Sequence, residues 1–322
     1  MRRTVLKALG ATCLAVWAAH GVAADDYPAR PVRIVIPFTP GGGSDSLGRL
    51  VAQKLSESLK QQFIVENKPG AGGSIGTREV ASAAPDGYTL LIGTSSTHGI
   101  NPWIYPKLGY DALKDFAQVS MLATTEYSLS VPASLPVKSV AELIKLGQST
   151  PTNYASSGNG TTSHLAAALF TSYSKTPFVH VPYKSSAPGL TDLLGGQVAF
   201  MFDNVSVHLP HAQTGKLRIL ATSGTQRTRV TPDVPTLVES GVAGYEMVGW
   251  FCVLAPAGTP PAVVSKLNRE IGRILANPEV ADKLKAGGNE PFAASPEETR
   301  TYIASQLQQY RKVVEAAGAK VE

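Results

Sequence analysis

Apolar runs typical of buried strands alternate with segments of helical periodicity along most of this chain, and this alternation constrains the fold most. Residues 31–38, PVRIVIPF, form a nearly continuous apolar run rich in β-branched side chains, as a strand buried on both faces requires. From Ser44 onward the period changes, because Leu47, Val51 and Leu55 recur at the spacing of one helix face. Strands that alternate with helices predict a parallel sheet covered by helices.

The alternation forms two series of βα units. Strands are predicted at residues 31–38, 63–66 and 88–94 in the first series, and at 153–156, 178–183, 198–203 and 217–223 in the second. A long extended stretch, 116–131, joins the series, and a strand at 247–254 precedes a helical C-terminal region that includes a capping box at Ser295. We therefore expect an α/β fold with two lobes and a cleft between them. The first lobe is expected to comprise residues 25–122 and 226–322, and the second lobe residues 123–225.

The N-terminal segment is predicted to be a secretory signal. Arg2, Arg3 and Lys7 precede an apolar stretch and the small residues 22–24, so we expect cleavage after Ala24; a buried N-terminal helix is the alternative, and Sec and twin-arginine export are not separable. Without residues 1–24 the basic residues fall from 29 to 26 against 24 acidic ones, which reduces the net charge from +5 to +2. So small a net charge does not indicate a nucleic-acid-binding surface. No later segment is apolar enough to predict a membrane span.

Three consecutive glycines, Gly41, Gly42 and Gly43, lie between the first strand and the first long helix. Glycines let backbone N–H groups converge on one point, and a helix start adds unpaired donors and partial positive charge, so this loop predicts an anion site. Ser44 or Asp45 is expected to cap the helix. A tight turn without ligand is the alternative. The dinucleotide and Walker A patterns both fail here, which favours a small carboxylate over a nucleotide.

Two hydroxyl-rich loops follow other predicted strands. One runs from Ser156 to His164 in the second series, and the other from Thr94 to His98 in the first. Because ligands bind at the carboxyl ends of strands in open parallel sheets, we expect these loops and the glycine loop to face one cleft. Asp203, at the end of a predicted strand, is interpreted either as a helix cap or as a ligand contact.

The sequence contains only weak signals for a hydrolase, a metal site or a reactive cysteine. The sequence around Ser74, GGSIG, matches the nucleophile elbow of serine hydrolases, but a loop rather than a strand precedes it. His208 and His211 are interpreted as a surface pair rather than a metal site, and Cys252 as a buried apolar residue. We predict no metal and no cofactor.

A set of short motifs occurs in order along the chain. The motifs are Tyr27 to Val32, Pro37 to Asp45, Val65 to Ser74, Pro85 to Leu90, Gly158 to His164, Val181 to Lys184, Asp192 to Gly196, Val234 to Glu239 and Ala255 to Pro260. Together they resemble the solute-binding proteins of tripartite tricarboxylate transporters, the Bug-type family. The resemblance covers essentially the whole chain after the signal segment. It implies a type II-like periplasmic binding protein that closes on a small carboxylate, expected to be a dicarboxylate, with aromatic acids included among the candidates.

The same resemblance implies the site and the partners. Ligand-binding positions carried over by motif are Phe38, Gly41, Gly42, Gly43, Asp45, Ser95, Ser96, Ser157, His164 and Asp203. The chain departs from the family pattern at Thr39-Pro40 and at Ser185, where a glycine is usual. The expected function is periplasmic, non-enzymatic capture of a small carboxylate by a monomer, with delivery to membrane permease subunits and no nucleic-acid partner. The alternatives are an orphan sensor for a signalling partner and a secreted hydrolase using Ser74.

Overall fold

The computed structural model describes residues 27–319, so the predicted signal segment lies outside the described residues. The strands are β1 Val32–Ile36, β2 Phe63–Asn67, β3 Thr89–Thr94, β4 Phe116–Pro132, β5 Asn153–Ser156, β6 Val179–Pro182, β7 Phe200–Asn204, β8 Leu217–Thr222, β9 Val248–Pro256 and β10 Asn289–Pro291. The α-helices are α1 Gly43–Leu59, α2 Ser74–Ala81, α3 Asn101–Ile104, α4 Val140–Ser149, α5 Thr162–Ser174, α6 Ser186–Leu194, α7 Val205–Gln213, α8 Pro261–Ala276, α9 Pro278–Ala286 and α10 Pro296–Ala317. A 3₁₀ turn spans Ala71–Gly73, and a π-helical turn spans Ser96–Ile100.

Each lobe contains a mostly parallel sheet with one reversed strand near its centre. In the first lobe β1, β2 and β3 are parallel, and β9 lies antiparallel between β3 and β4. In the second lobe β5, β6 and β7 are parallel, and β4 lies antiparallel between β7 and β8. The central reversed strand is in each case one that crosses from the other lobe, whereas the short β10 is a second reversed strand of the first lobe, antiparallel to β4. The predicted two-lobed α/β fold is confirmed.

Strand β4 joins the two sheets. Its 17 residues pair with β9 as far as Glu126, opposite Val248, and with β7 from Tyr127, opposite Asn204. The chain therefore changes lobe within one continuous strand, without a separate linker. The return crossing runs from β8 to β9.

The β-branched run of β1 is buried on both faces, as its composition predicted. Ile34 and Ile36 belong to the apolar cluster that includes Leu47 and Leu55 of α1, whereas Val35 belongs to the cluster on the opposite face. All three strand residues are completely buried. This double burial fixes the carboxyl end of β1, and with it the start of the glycine loop.

The C-terminal helix α10 contacts both lobes. The Tyr310 hydroxyl donates to the Val248 carbonyl on β9 (2.6 Å), and the Ser172 hydroxyl on α5 donates to the Ala316 carbonyl (2.9 Å). A helix that touches both lobes restricts how they move relative to each other. In the part of the chain that the structure describes, no helix combines the length and the apolar character needed to cross a membrane.

Two local expectations were wrong. The hydroxyl-rich segment after β3 is the π-helical turn rather than a loop, since its residues are buried and the Tyr110 hydroxyl donates to the Thr97 carbonyl (2.6 Å). His208 does not form a surface pair with His211. It is completely buried, and its Nδ1 lies 2.9 Å from the Ser128 hydroxyl.

Candidate functional site

A cavity lies where the carboxyl ends of β1, β3, β5, β6 and β7 converge between the lobes. The lining residues are Phe38, Thr39, Gly42, Gly43, Ser44, Thr94, Ser95, Ser96, Tyr127, Ser157, Ser185, Ser186, Asp203, Asn204 and Phe251. Seven of the ten predicted site residues are among them, whereas Gly41, Asp45 and His164 are not. The two lobes thus supply one continuous wall of backbone amides, hydroxyls and a few aromatic rings.

The glycine loop places the start of α1 against the cavity. Gly42 is the N-cap residue, and no side chain caps the helix there. The prediction that Ser44 or Asp45 caps it is therefore wrong. The N–H groups of Gly43 and Ser44 have no acceptor inside the helix, because they belong to its first turn. Both residues line the cavity, where free N–H groups and the helix dipole favour an anion.

Asp45 points away from the cavity and holds the loop in shape. Its carboxylate accepts hydrogen bonds from the Gly41 N–H (3.0 Å), Arg49 Nε (3.0 Å) and Asn67 Nδ2 (2.9 Å). Asn67 also donates to the Phe38 carbonyl (2.9 Å). Burial raises the pKa of Asp45, but these donors outweigh it and leave the pKa below its ordinary value. Asp45 is therefore ionised at neutral pH and acts on the loop.

Gly43 lies close against the second lobe. A Cβ added there would lie 2.4 Å from Nδ2 of Asn204, at the end of β7. Any side chain at this position would force the lobes apart or displace Asn204. The glycine therefore permits this close contact between the lobes as well as exposing backbone donors.

Hydroxyl groups connect the lobes along the cavity wall. The Thr162 hydroxyl, at the start of α5, lies 2.8 Å from the Ser95 hydroxyl and 3.1 Å from that of Ser96. The Thr162 N–H also donates to the Ser96 hydroxyl (3.0 Å). A hydroxyl can donate one hydrogen bond and accept others, so each of these groups can bond a ligand and still keep its hydrogen bond to the neighbouring hydroxyl.

The two departures from the family pattern lie next to each other. The Thr39 hydroxyl, in the first lobe, hydrogen-bonds to the Ser185 hydroxyl, in the second. Ser185 has φ of −172°, which is extended backbone, so glycine is not needed there. Sequence reasoning singled out both positions, but their contact exists only in the tertiary structure.

Asp203 lies at the end of β7 with its side chain buried in the cavity wall. Its Oδ1 accepts the N–H of Asn204 (2.7 Å), whereas Oδ2 has no hydrogen-bond partner among the described residues. Asn204, not Asp203, is the N-cap residue of α7, and no side-chain cap bond is present there. Burial raises the pKa of Asp203 to about 6, and the Ser186 hydroxyl and the Asn204 N–H oppose the increase.

His164 supports the second-lobe loop from behind. Its Nδ1 accepts the Gly160 N–H (3.3 Å), and its ring stacks on His180 with centroids 4.2 Å apart. His180 Nε2 in turn lies 2.6 Å from the Ser156 hydroxyl. Burial lowers the pKa of His164 to about 4, so the stacked rings are neutral at physiological pH.

The residues of the hydrolase alternative do not form a nucleophile elbow. Strand β2 ends at Asn67, and a 3₁₀ turn separates it from Ser74, which begins α2. The Ser74 hydroxyl accepts from Asn101 Nδ2 (3.0 Å), so its neighbour is an amide and not a general base. Across residues 27–319, no three His, Cys, Asp or Glu side chains are grouped to hold a metal ion.

Sequence reasoning did not include eight of the residues that line the cavity: Thr39, Ser44, Thr94, Tyr127, Ser185, Ser186, Asn204 and Phe251. Most of them are sequence neighbours of predicted positions, and the rule that ligands bind at the carboxyl ends of parallel strands could also have indicated them. Tyr127 and Phe251 could not have been indicated in this way, because each lies on a crossing strand whose apolar pattern is that of ordinary core. Only the pairing of the two sheets places these rings at the cleft.

The comparisons with known proteins agree with this architecture. The family model described as tripartite tricarboxylate transporter family receptor matches residues 47–319. The chain belongs to this receptor family. The match begins just after the glycine loop and covers the rest of the first lobe and the whole second lobe as predicted, up to residue 319, so the resemblance inferred from the sequence motifs is confirmed.

Relatives match the receptor over nearly its full length. Protein BugT of Bordetella pertussis is 38% identical over 304 residues, which cover 94% of this chain and 93% of BugT. The solved structure of R. palustris Rpa4515 with adipate is 39% identical, with a TM-score of 0.90 over 92% of this chain and 100% of that one. The structure of MatC from Rhodopseudomonas palustris with bound malate is 32% identical, with a TM-score of 0.85 over 89% and 100% of the two chains.

Proposed function

We propose that this receptor captures a small carboxylate in the periplasm and delivers it to the membrane permease of a tripartite tricarboxylate transporter. The observation that carries the proposal is the start of α1, where Gly43 and Ser44 present free N–H groups to a cavity shared by both lobes. Because the wall contains no Lys or Arg, backbone dipoles and hydroxyls are its means of holding an anion.

The ligand class follows from the same donors and from the relatives. N–H groups and hydroxyls arranged around one point suit the two oxygens of a carboxylate. The related structures of Rpa4515 with adipate and of MatC with bound malate support dicarboxylates as the first compounds to test. Phe38, Tyr127 and Phe251 add apolar surface to the wall, which suits the carbon skeleton of such an acid.

A thermal-shift panel tests this function. Succinate, malate, adipate and benzoate are mixed at millimolar concentration with the purified chain. A ligand at about 100-fold its Kd stabilises the folded state by about 2.7 kcal/mol, which raises Tm by about 5 °C for a protein of this size. If no member of a broad carboxylate panel raises Tm, the proposed function is wrong.

A matched pair of glycine variants links binding to the loop. Gly43→Ala places a Cβ against Asn204, so we expect affinity for the best panel member to fall at least about tenfold, or about 1.4 kcal/mol. Gly272→Ala is the control, because no atom lies within 4 Å of the added Cβ in α8. Equal affinity of the two variants would show that the glycine loop is not part of the binding site.

A further inference from the structure

The cavity contains one carboxyl group and no compensating cation. Of the residues that line it, Asp203 is the only Asp or Glu, and none is Lys, Arg or His. Tyr127 is the one other titratable group in the wall. If Asp203 stayed ionised, a bound carboxylate would place two negative charges in one enclosed space. Two carboxylates that share a site raise each other's pKa until one of them holds a proton.

The surroundings of Asp203 leave one oxygen free for such a proton. The side chain is 2% exposed, Oδ1 is bonded to the Asn204 N–H, and Oδ2 has no partner among the described residues. The Ser186 hydroxyl interacts with the carboxyl group from the start of α6. Oδ2 is therefore a buried, unpartnered oxygen of a residue that lines the cavity, and a hydrogen bond to a ligand would satisfy it.

Titratable groups on the elements around β7 supply no positive charge. On β4, Tyr127 is neutral, since burial raises its pKa well above the ordinary value. On α7, His208 is neutral, because burial lowers its pKa to about 3, and its Nδ1 faces the Ser128 hydroxyl. His211, on the same helix, is partly exposed.

The other elements that neighbour β7 also place no positive charge in the cavity wall. His164 on α5 is neutral, and Tyr154 on β5 is buried with a raised pKa. Asp192 on α6 accepts the Tyr183 hydroxyl (2.6 Å), and Asp45 on α1 binds the Arg49 side chain. Lys184, just before α6, is exposed and is not part of the cavity wall.

We propose that Asp203 binds the ligand as a neutral carboxylic acid, with a proton on Oδ2 that is donated in a hydrogen bond to the ligand carboxylate. This inference rests on the proposed function. The ionised Asp203 of the free protein takes one proton from solvent on binding, and no covalent bond forms or breaks. A carboxyl group held neutral in an apolar site so that it can donate is an established use of burial.

The proposal sets the direction of the pH dependence. Burial raises the pKa of Asp203 to about 6 before any ligand is bound, so the proton is partly in place just below neutrality. Above that pKa, binding must recruit the proton, and Kd is expected to increase by up to about tenfold per pH unit. Below it, Asp203 is already protonated and Kd levels off until the ligand itself is protonated.

Calorimetric titration measures the proton directly. The panel member among succinate, malate and adipate with the largest Tm increase is titrated at pH 7.5 in HEPES and in Tris, whose ionisation enthalpies differ. The difference in observed enthalpy gives the protons taken up, and we expect close to one. In Asp203→Asn the amide can donate a hydrogen bond without first taking up a proton. This variant is therefore expected to lose the proton uptake and to show a flatter pH dependence. The control Asp233→Asn, at an exposed site, is expected to keep both the uptake and the pH dependence.

The infrared spectrum of the wild-type complex gives a second reading that needs no variant. A carbonyl band of a protonated carboxyl group is expected to grow when ligand binds at pH 7.5. Binding without proton uptake and without this band would show that Asp203 stays ionised and would overturn the inference, while the proposed function would stand. Uptake that persists in a folded Asp203→Asn variant would assign the proton to the ligand and would also overturn it. Failure of every panel member to bind would instead contradict the proposed function.

Discussion

At the scale of single residues, two carboxylates near the same cleft have opposite roles because their neighbours differ. Asp45 is surrounded by donors that include the Arg49 guanidinium, and it remains ionised behind the loop. Asp203 is buried, one of its oxygens has no hydrogen-bond partner within residues 27–319, and its pKa is raised. The family motif includes Asp45 among the site residues, but its contacts are those of a residue that positions the glycine loop.

The role of Asp45 predicts a pH-dependent loss of stability in Asp45→Asn. The folded-state pKa of Asp45 is lowered, so its contribution is present above the unfolded pKa of about 3.9 and is lost as pH falls through the folded value. We expect the variant to be less stable than wild type by about 1–2 kcal/mol at pH 7, as for hydrogen bonds to a charged group. Urea unfolding at pH 7 and pH 3 measures the difference, which should shrink at pH 3; a constant difference would contradict the assignment.

At the scale of elements, helix α10 shows how a local signal can position a distant contact. The capping box at its start is complete: the Ser295 hydroxyl accepts from the Glu298 N–H (3.2 Å), and the Glu298 carboxylate accepts from the Ser295 N–H (2.8 Å). The helix then extends 22 residues and contacts β9 and α5, in different lobes. A well-defined start therefore fixes the register of a helix that contacts both lobes.

Removal of the cap is expected to destabilise the whole protein modestly. Ser295→Ala removes the acceptor for the Glu298 N–H, and the loss of such a cap costs about 1 kcal/mol. Ser305→Ala, in the middle of the same helix, is the control, since the Ser305 hydroxyl bonds only its own helix at Tyr302 (2.7 Å), and its effect is expected within about 0.5 kcal/mol. Urea unfolding compares the two, and equal effects would mean that the cap adds nothing.

At the scale of the whole molecule, the two lobes are in direct contact across the cleft. Contacts across the cleft include those of Ser95 and Ser96 with Thr162, and the Tyr105 hydroxyl donates to the Asn159 carbonyl (2.7 Å). Because β4 changes lobe within a continuous ladder, opening the cleft must bend this strand or the β8–β9 crossing. The lobe boundaries proposed at residues 122/123 and 225/226 lie near these two crossings, and β4 changes its pairing between Glu126 and Tyr127.

The hydroxyl pair Thr39–Ser185 is expected to contribute to closure. Thr39→Val and Ser185→Ala each remove the same hydrogen bond between the lobes, so each should weaken carboxylate affinity about fivefold, or about 1 kcal/mol. The double variant should be little weaker than either single variant, because only one interaction is lost. Calorimetry on the four proteins measures this, with Thr191→Val as control, since that hydroxyl bonds only its own helix at Ala187 (3.0 Å). Fully additive losses would mean that the two hydroxyls act separately.

The sequence by itself determined the local elements and the chemistry of the loops. Periodicity and caps identified most strands and helices of both series, because burial on one or two faces directly sets the spacing of apolar side chains. It was less informative where local signals conflict. Helix α7 contains Pro210 and two histidines, and the hydroxyls of the π-helical turn are typical of a loop, yet tertiary packing makes both helical.

The tertiary structure alone decided which groups meet. Hydrogen bonds such as Thr39–Ser185 and Ser96–Thr162 join residues far apart in sequence, and no periodic pattern encodes them. The direction of the Asp45 carboxylate depends on contacts with Arg49 and Asn67, and the place of Tyr127, Asp203 and Phe251 in the cleft depends on how the two sheets pair through β4 and β9. The physical reason is that a hydrogen bond or a pKa depends on distances of a few ångströms between elements, whereas a sequence pattern reports only the exposure of each element's own faces.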